Sequence, residues 1–399
     1  MKNDSLTAVF RQAGAPDARY LSLFGREKAE QARAFHASFP GYGPTPLRDL
    51  RCLAEEAGVE AVYVKDESFR FGLNAFKALG GSYAVGSLLA ERLGRPIAEL
   101  PYDKMTGAEG KQALGEVTFV TATDGNHGRG VAWTAKLLGQ KAVVYMPKGT
   151  ATERLENIRA LGADASILAL GYDDCGRKAK ADAEKNGWIL VQDTAFEGYE
   201  EIPLHIMQGY MTMALEAFEQ MGARRPTHLF LQAGVGSMAA AAAAFFAAVS
   251  PERCPVVTVV EPHTADCFVL TAQANDGKLH ACEGEMHTAM AGLACGEVNP
   301  IAWKILGKLA SCFVAMPDAF AFDGMRRLAQ PLGDDPAVVS GESGASAFGL
   351  ALHVLRDPEM ADIRERLGIG SDSVILCFST EGDTDRENYR RIVASEAVL

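Results

Sequence analysis

A chain of 399 residues with 51 acidic and 39 basic side chains carries a formal charge of −12, and its basic residues are scattered, so no nucleic-acid phosphate footprint is expected. Hydrophobic residues make up 48% and charged residues 23%, which excludes a largely disordered chain and supplies the core of a two-domain globular protein. Apolar runs such as Met238–Val249 fall short of the ~20 residues of a membrane span, and the opening MKNDSLTAVFRQ is too polar for a secretory signal, so no membrane partner and a cytoplasmic location are expected.

In chain order, valine- and isoleucine-rich runs alternate with helical patterns, the βαβα order of a mainly parallel sheet. The expected strands are Val62–Lys65, Thr118–Thr121, Lys141–Tyr145, Ala165–Leu168, Ile189–Gln192, His228–Gln232, Val256–Val260 and Val374–Phe378. Helices are expected over Asn74–Leu93, Gly128–Leu138, Ala151–Leu161, Asp174–Asn186, Ile202–Gln220, Ser237–Ala248 and Ser343–Leu355. Gly94–Gly115 interrupts the alternation and reads as an insertion or surface excursion. The eight cysteines contain no CxxC pair, so they read as reduced thiols and no metal site is expected.

Four segments sit where a strand ends or a helix begins, the place where open α/β sheets bind ligands. In KDESFRFGLNAFKALGG, residues 65–81, Asn74 is expected to cap a helix and to place Lys77 about one turn inside it, among Phe76, Ala78, Leu79 and two glycines. A lysine with little water around its ammonium becomes a nucleophile toward an aldehyde. Most helix lysines are solvated surface groups, so this segment alone decides nothing. TATDGNHGRG, residues 121–130, presents backbone N–H groups to an anion, with Asn126 as an added donor. QAGVGSMAA, residues 232–240, brings Gly234, Gly236 and Ser237 to a helix start that suits a phosphate. It lacks the Lys-Ser/Thr ending of a nucleotide loop and the third glycine of a dinucleotide fingerprint. CFSTEGDTD, residues 377–385, puts the hydroxyls of Ser379 and Thr380 at a strand end, with acids behind them.

Together and in this order, these segments resemble the fold type II pyridoxal-phosphate enzymes, the group of tryptophan synthase β and the serine/threonine dehydratases. Within it they are most similar to the ammonia-lyases that act on 2,3-diaminopropionate. YGPTPL, VYMPKG, QDTAFEGY, AGLACGE and SGESGA extend the likeness from about Tyr42 to Asp385. The resemblance implies an α/β architecture of two domains, each with a mainly parallel twisted sheet flanked by helices, and pyridoxal 5'-phosphate in the cleft between them. The large domain would comprise residues 1–80 and 196–399, and the small domain residues 81–195. It further implies that Lys77 forms the Schiff base and that Asn126 contacts the phenolic oxygen. Gly234, Val235, Gly236, Ser237 and Met238 would hold the phosphate, and Ser379 or Thr380 would face the pyridine nitrogen. Thr123, Asp124, Gly125, His127 and Asp193 would line the substrate site.

The simpler dehydratases carry a serine or threonine where Asp124 stands. A carboxylate there would repel an ordinary amino acid's carboxylate unless it meets a cation or acts as a base, and 2,3-diaminopropionate supplies that cation. The expected reaction is α,β-elimination to pyruvate and two ammonia, with Lys77 as base for the L-isomer and Asp124, on the opposite face, for the D-isomer. The partner is a small amino acid, and a homodimer is implied. Alternatives are a serine or threonine dehydratase of the same fold, an inactive pyridoxal-phosphate or ligand-binding homologue, and a nicotinamide-binding Rossmann protein.

Overall fold

The computed structural model describes residues 6–14, 17–123, 125–396 and 399. Asp124 lies outside the described residues. The chain forms two compact units, one of Met1–Arg26, Pro44–Phe76 and Met213–Leu399, the other of Glu27–Gly43 and Lys77–Thr212.

The strands in chain order are β1 Thr7–Phe10, β2 Leu47–Asp49, β3 Ala61–Asp66, β4 Thr118–Ala122, β5 Lys141–Met146, β6 Asp164–Ile167, β7 Ile189–Leu190, β8 His228–Gln232, β9 Val256–Pro262, β10 Ala310–Met316 and β11 Val374–Ser379. The first unit holds a seven-stranded sheet in the order β1-β10-β9-β8-β11-β3-β2. Only its edge pairs, β1 with β10 and β2 with β3, run antiparallel. The central strands β3, β8 and β11 are buried at every position, as strands covered on both faces must be, and their stretches Ala61–Val64, Leu229–Leu231 and Val374–Phe378 accordingly read as apolar runs rather than alternations. The second unit holds a four-stranded parallel sheet in the order β6-β5-β4-β7.

Register aligns the loops. In the first unit β11 pairs Ser379 with Asp66 of β3 and Cys377 with Phe230 of β8. The segments after Asp66, Gln232 and Ser379 therefore leave the same carboxyl edge. In the second unit β7 pairs with β4, so the turns that follow Ala122 and Leu190 leave neighbouring strand ends.

The expected central strands and long helices are present, with the expected helix starting near Asn74 as the main exception. That helix spans Ala78–Arg92, and Lys77 is its N-cap residue rather than a residue one turn inside. Asn74 does not cap it, because its φ is +56°, in the left-handed region, and its side chain is spent elsewhere. The expected strand Ile189–Gln192 is cut to two residues. The Gly94–Gly115 interruption forms short helical pieces, Ile97–Glu99, Tyr102–Thr106 and Ala108–Leu114. Strands β1, β2 and β10 were not anticipated. Among the described residues no helix is long and apolar enough to cross a membrane.

Beneath the start of the loop that leads to Lys77, the first unit seals a network of charges. Lys65 Nζ, at the end of β3, donates to Glu216 Oε2 at 2.7 Å, to the Thr45 carbonyl at 2.7 Å and to Gln220 Oε1 at 2.9 Å. Arg70 donates to Glu67 and to Glu216, with four contacts between 2.8 and 2.9 Å. All four charged groups are at most 2% exposed. Two cations against two anions, each hydrogen-bonded, satisfy the condition under which charges survive burial.

Candidate active site

In the second unit the residues expected to serve chemistry gather around Lys77. Its ammonium donates to Asp193 Oδ2 at 3.0 Å, with side-chain exposures of 19% and 6%. The expectation of an apolar setting is thus corrected in part: Ala78, Leu79 and Gly80 are buried, but the amine itself meets a carboxylate. Burial works against the Asp193 charge, yet Lys77, together with His127, overrides it and holds this carboxyl down to about 2 from 3.8.

The turn after β4 is built by its own side chains. Thr123, 1% exposed, accepts from the backbone N–H of Gly125 at 3.0 Å and of Gly128 at 3.2 Å, and so ties the start of helix Asn126–Leu137. Asn126 is the first residue of that helix. His127 is 2% exposed and its Nε2 lies 2.8 Å from the Val191 carbonyl, which fixes that nitrogen as the protonated donor. The glycines of GNHGRG are spacers for close approach: a Cβ on Gly130 would lie 3.0 Å from the Lys77 carbonyl oxygen and from Ala78 Cα. The helix that begins after Lys77 and the helix that carries Asn126 therefore meet backbone to backbone. Helix Glu201–Gln220 does the same on another side, where a Cβ on Gly209 would lie 2.3 Å from the Leu79 carbonyl oxygen.

In the first unit Gly236, with φ +91°, turns the chain from β8 into helix Ser237–Val249. The first intrahelical bond there runs from Ala240 N to Gly236 O, so the amide hydrogens of the first turn have no acceptor within the helix and point outward at its positive end. Asn299, wholly buried, braces this loop: its Nδ2 donates to Ser237 Oγ at 2.9 Å and its backbone N–H to the Val235 carbonyl at 3.0 Å. Two thiols flank Gly234. Cys267 Sγ lies 4.0 Å from its carbonyl oxygen, and a Cβ at this glycine would lie 3.0 Å from Cys295 Sγ. All eight cysteines are free thiols.

At the neighbouring strand end, Ser379 Oγ bonds Ser340 Oγ at 2.7 Å. Thr380 Oγ1 accepts from Gln232 Nε2 at 3.0 Å. The Gln232 amide cannot be turned over, because the same nitrogen also faces the carbonyls of Phe378, Ser343 and Gly344 at 2.8 to 3.3 Å. The Thr380 oxygen is therefore an acceptor in this bond, and its own hydrogen remains for another partner.

The structure thus brings Lys77, Thr123, Gly125, Asn126, His127 and Asp193 together within one unit, and Gly234 to Met238 with Ser379 and Thr380 within the other. Gln232 and Asn299 were not anticipated. Asn299-Pro300 reads in the sequence as a helix start, which it is, but its grip on a loop some 60 residues away carries no local signal.

A lysine amine in one unit and, in the other, an anion cradle without an acid inside its glycine turn and neutral hydroxyls at a strand end are donors of the kind a phosphorylated aldehyde would take. Residues 38–376 match the family of pyridoxal-phosphate dependent enzymes, and the chain belongs to it. Its cofactor is pyridoxal phosphate, and the parallel α/β architecture is that of fold type II. Over 377 residues the chain is 48% identical to the diaminopropionate ammonia-lyase of Salmonella typhimurium, which covers 94% of this chain and 93% of that one. The crystal structure of diaminopropionate ammonia-lyase from Escherichia coli in complex with D-serine superposes with a TM-score of 0.90 at 44% identity, covering 98% and 97% of the two chains. The same enzyme in complex with an aminoacrylate-PLP azomethine reaction intermediate gives 0.88 at 44% identity, covering 98% and 97%.

Proposed function

We propose that this chain is a diaminopropionate ammonia-lyase, which converts 2,3-diaminopropionate and water into pyruvate and two molecules of ammonia. The observation that carries the reading is the Asp193 carboxylate, held ionised far below neutral pH beside the Lys77 amine. Once that amine is engaged by the cofactor, a buried acid is left without the Lys77 cation that offsets its burial. A substrate with a second ammonium restores the pairing, and serine does not.

In this reading Lys77 anchors the cofactor and takes the Cα proton of the L-isomer, while Asp124 takes that of the D-isomer. The turn that carries Thr123, Gly125 and His127 lines the substrate site. Asn126 donates to the cofactor's phenolic oxygen, and Gly234, Val235, Gly236, Ser237 and Met238 hold its phosphate at the helix start. Ser379 or Thr380 offers a hydroxyl to the ring nitrogen. When bound, pyridoxal phosphate supplies the electron sink for the charge left at Cα. The β-amino group leaves with a proton as ammonia, and the three-carbon enamine left behind takes up water, releasing the second ammonia and pyruvate.

Product analysis with each isomer of 2,3-diaminopropionate, against serine, tests the reading. Pyruvate and ammonia in a ratio of about 1:2 from diaminopropionate support it; faster turnover of serine would make the chain a dehydratase. Asp124→Asn should depress D-isomer turnover far more than L-isomer turnover, and equal losses reject the two-base assignment. The same reading makes the chain a cytoplasmic homodimer of amino-acid catabolism, as the family resemblance implies; light scattering on the purified protein checks the dimer.

A further inference from the structure

The nine residues after Glu67 hold two left-handed backbone positions at side chains other than glycine, Phe71 with φ +51° and Asn74 with φ +56°. Such positions are costly for residues with a Cβ, and asparagine tolerates them better than most. Glycine would adopt the same turn without strain. The chain nevertheless places asparagine there, so the side chain has to account for its presence. Asn74 Nδ2 donates to Asp383 Oδ1 at 2.9 Å, and its backbone carbonyl accepts from Gly382 N at 3.0 Å.

These bonds begin a short antiparallel clasp. Ala75 pairs with Glu381 as an isolated bridge, and Phe76 N donates to the Thr380 carbonyl at 3.0 Å. Gly382 is fitted to it: a Cβ there would lie 2.0 Å from Asn74 Oδ1. On the other side the loop is held at Arg70 by the buried carboxylates of Glu67 and Glu216. The clasp ends at Phe76, the residue before Lys77, and its partner strand begins at Thr380.

We infer that Asn74 is a positioning residue for the reaction: by clasping Asp383 and Gly382 it sets the register of residues 74–76 against 380–382, and so the path of the chain into Lys77. This rests on the proposed roles of Lys77 and of the hydroxyls after β11. A misplacement of about 1 Å between reacting groups costs on the order of 100-fold in rate, which is the scale on which a slipped clasp would act. Asn74 itself touches no reacting atom.

The test uses the holoenzyme and three variants. Asn74→Gly keeps the turn and removes the amide. Asn74→Asp sets two carboxylates against each other. The double exchange Asn74→Asp with Asp383→Asn restores the bond with donor and acceptor reversed. Four quantities are read: kcat and KM on 2,3-diaminopropionate, the pH titration of the bound cofactor's visible absorbance, cofactor content, and Tm. The expected result is a kcat lowered roughly 10- to 100-fold in both single variants, with KM within about threefold. The absorbance titration should move, and the double exchange should recover most of both losses. A wild-type kcat and titration in Asn74→Gly overturns the inference, as does a loss confined to Tm. If Asn74→Asp fails to fold, Asn74→Gly still decides. Borohydride reduction of the parent holoenzyme separates the two levels: label at a residue other than Lys77 rejects the underlying reading, whereas label at Lys77 with an indifferent Asn74→Gly rejects the clasp alone.

Discussion

Lys65 and Lys77 stand twelve residues apart and are built for opposite purposes. Lys65 is wholly buried, and all three of its ammonium hydrogens are taken by Thr45, Glu216 and Gln220. Burial pushes its pKa down, with Glu216 pulling the other way. Lys77 keeps 19% of its side chain in contact with solvent and leans on Asp193. Burial alone would select Lys65 as the activated amine. What distinguishes a usable lysine is access together with a partner that it can leave, and Lys65 has neither.

The comparison can be broken at either lysine. The largest expected effect is at Lys77: Lys77→Ala should lower turnover by roughly 10^3-fold or more, while the fold survives with a loss of about 2 kcal/mol as Asp193 loses its cation. Lys65→Ala should do the converse, because it removes one of the two buried cations that face Glu67 and Glu216. We expect a loss of about 3–5 kcal/mol in denaturant unfolding, with kcat per folded active site close to normal. A Lys65 variant that is stable but inactive would reverse the assignment of the two lysines.

Asp193 sharpens the comparison through pH. Its carboxyl sits near 2 in the folded, cofactor-free chain against an ordinary 3.8. A depressed acid stabilises the fold at pH values above its unfolded pKa, and that contribution is lost as pH falls from about 4 through about 2. It amounts to about 2 kcal/mol, and Asp193→Asn should remove it from the acid limb of the unfolding curve. The same variant should raise KM for 2,3-diaminopropionate by roughly 10- to 100-fold, the value of one hydrogen bond to a charged group, and raise KM for serine less. The smallest effect is expected at Gly130, where alanine would press on the Lys77 carbonyl. About 1–2 kcal/mol of stability should be lost, read as a lower Tm, since a neighbouring helix must shift by tenths of an ångström.

Much of the fold was legible because buried parallel strands announce themselves. The run at β8 ends at Gln232 as expected, since an apolar stretch there meets a glycine turn. β10 was missed although it is almost wholly buried, because ASCFVAM mixes small residues into its run and lacks a β-branched signature. β1 and β2 are short antiparallel edges that few local residues specify. The loops of the site were legible as motifs, each with its strand end and its glycines. What holds those loops was not. Gln232 reaches Thr380 across 148 positions and Asn74 reaches Asp383 across 309, and nothing local marks either pairing. Asn74 also shows why the helix start was misplaced: asparagine is favoured both at N-caps and at left-handed turns, and the sequence does not say which.

The glycine contacts around the first turn after Lys77 have a consequence for how such a chain can diverge. Main chain meets main chain at Gly130 and at Gly209, so there are few side chains in that cage for mutation to exchange. Drift in substrate preference is thereby channelled away from the lysine and onto the acids and hydroxyls borne by the loops. A lineage could acquire a new leaving group by altering the residue at Asp193 while its amine stayed fixed. Libraries aimed at new chemistry should leave both glycines alone and vary those loops.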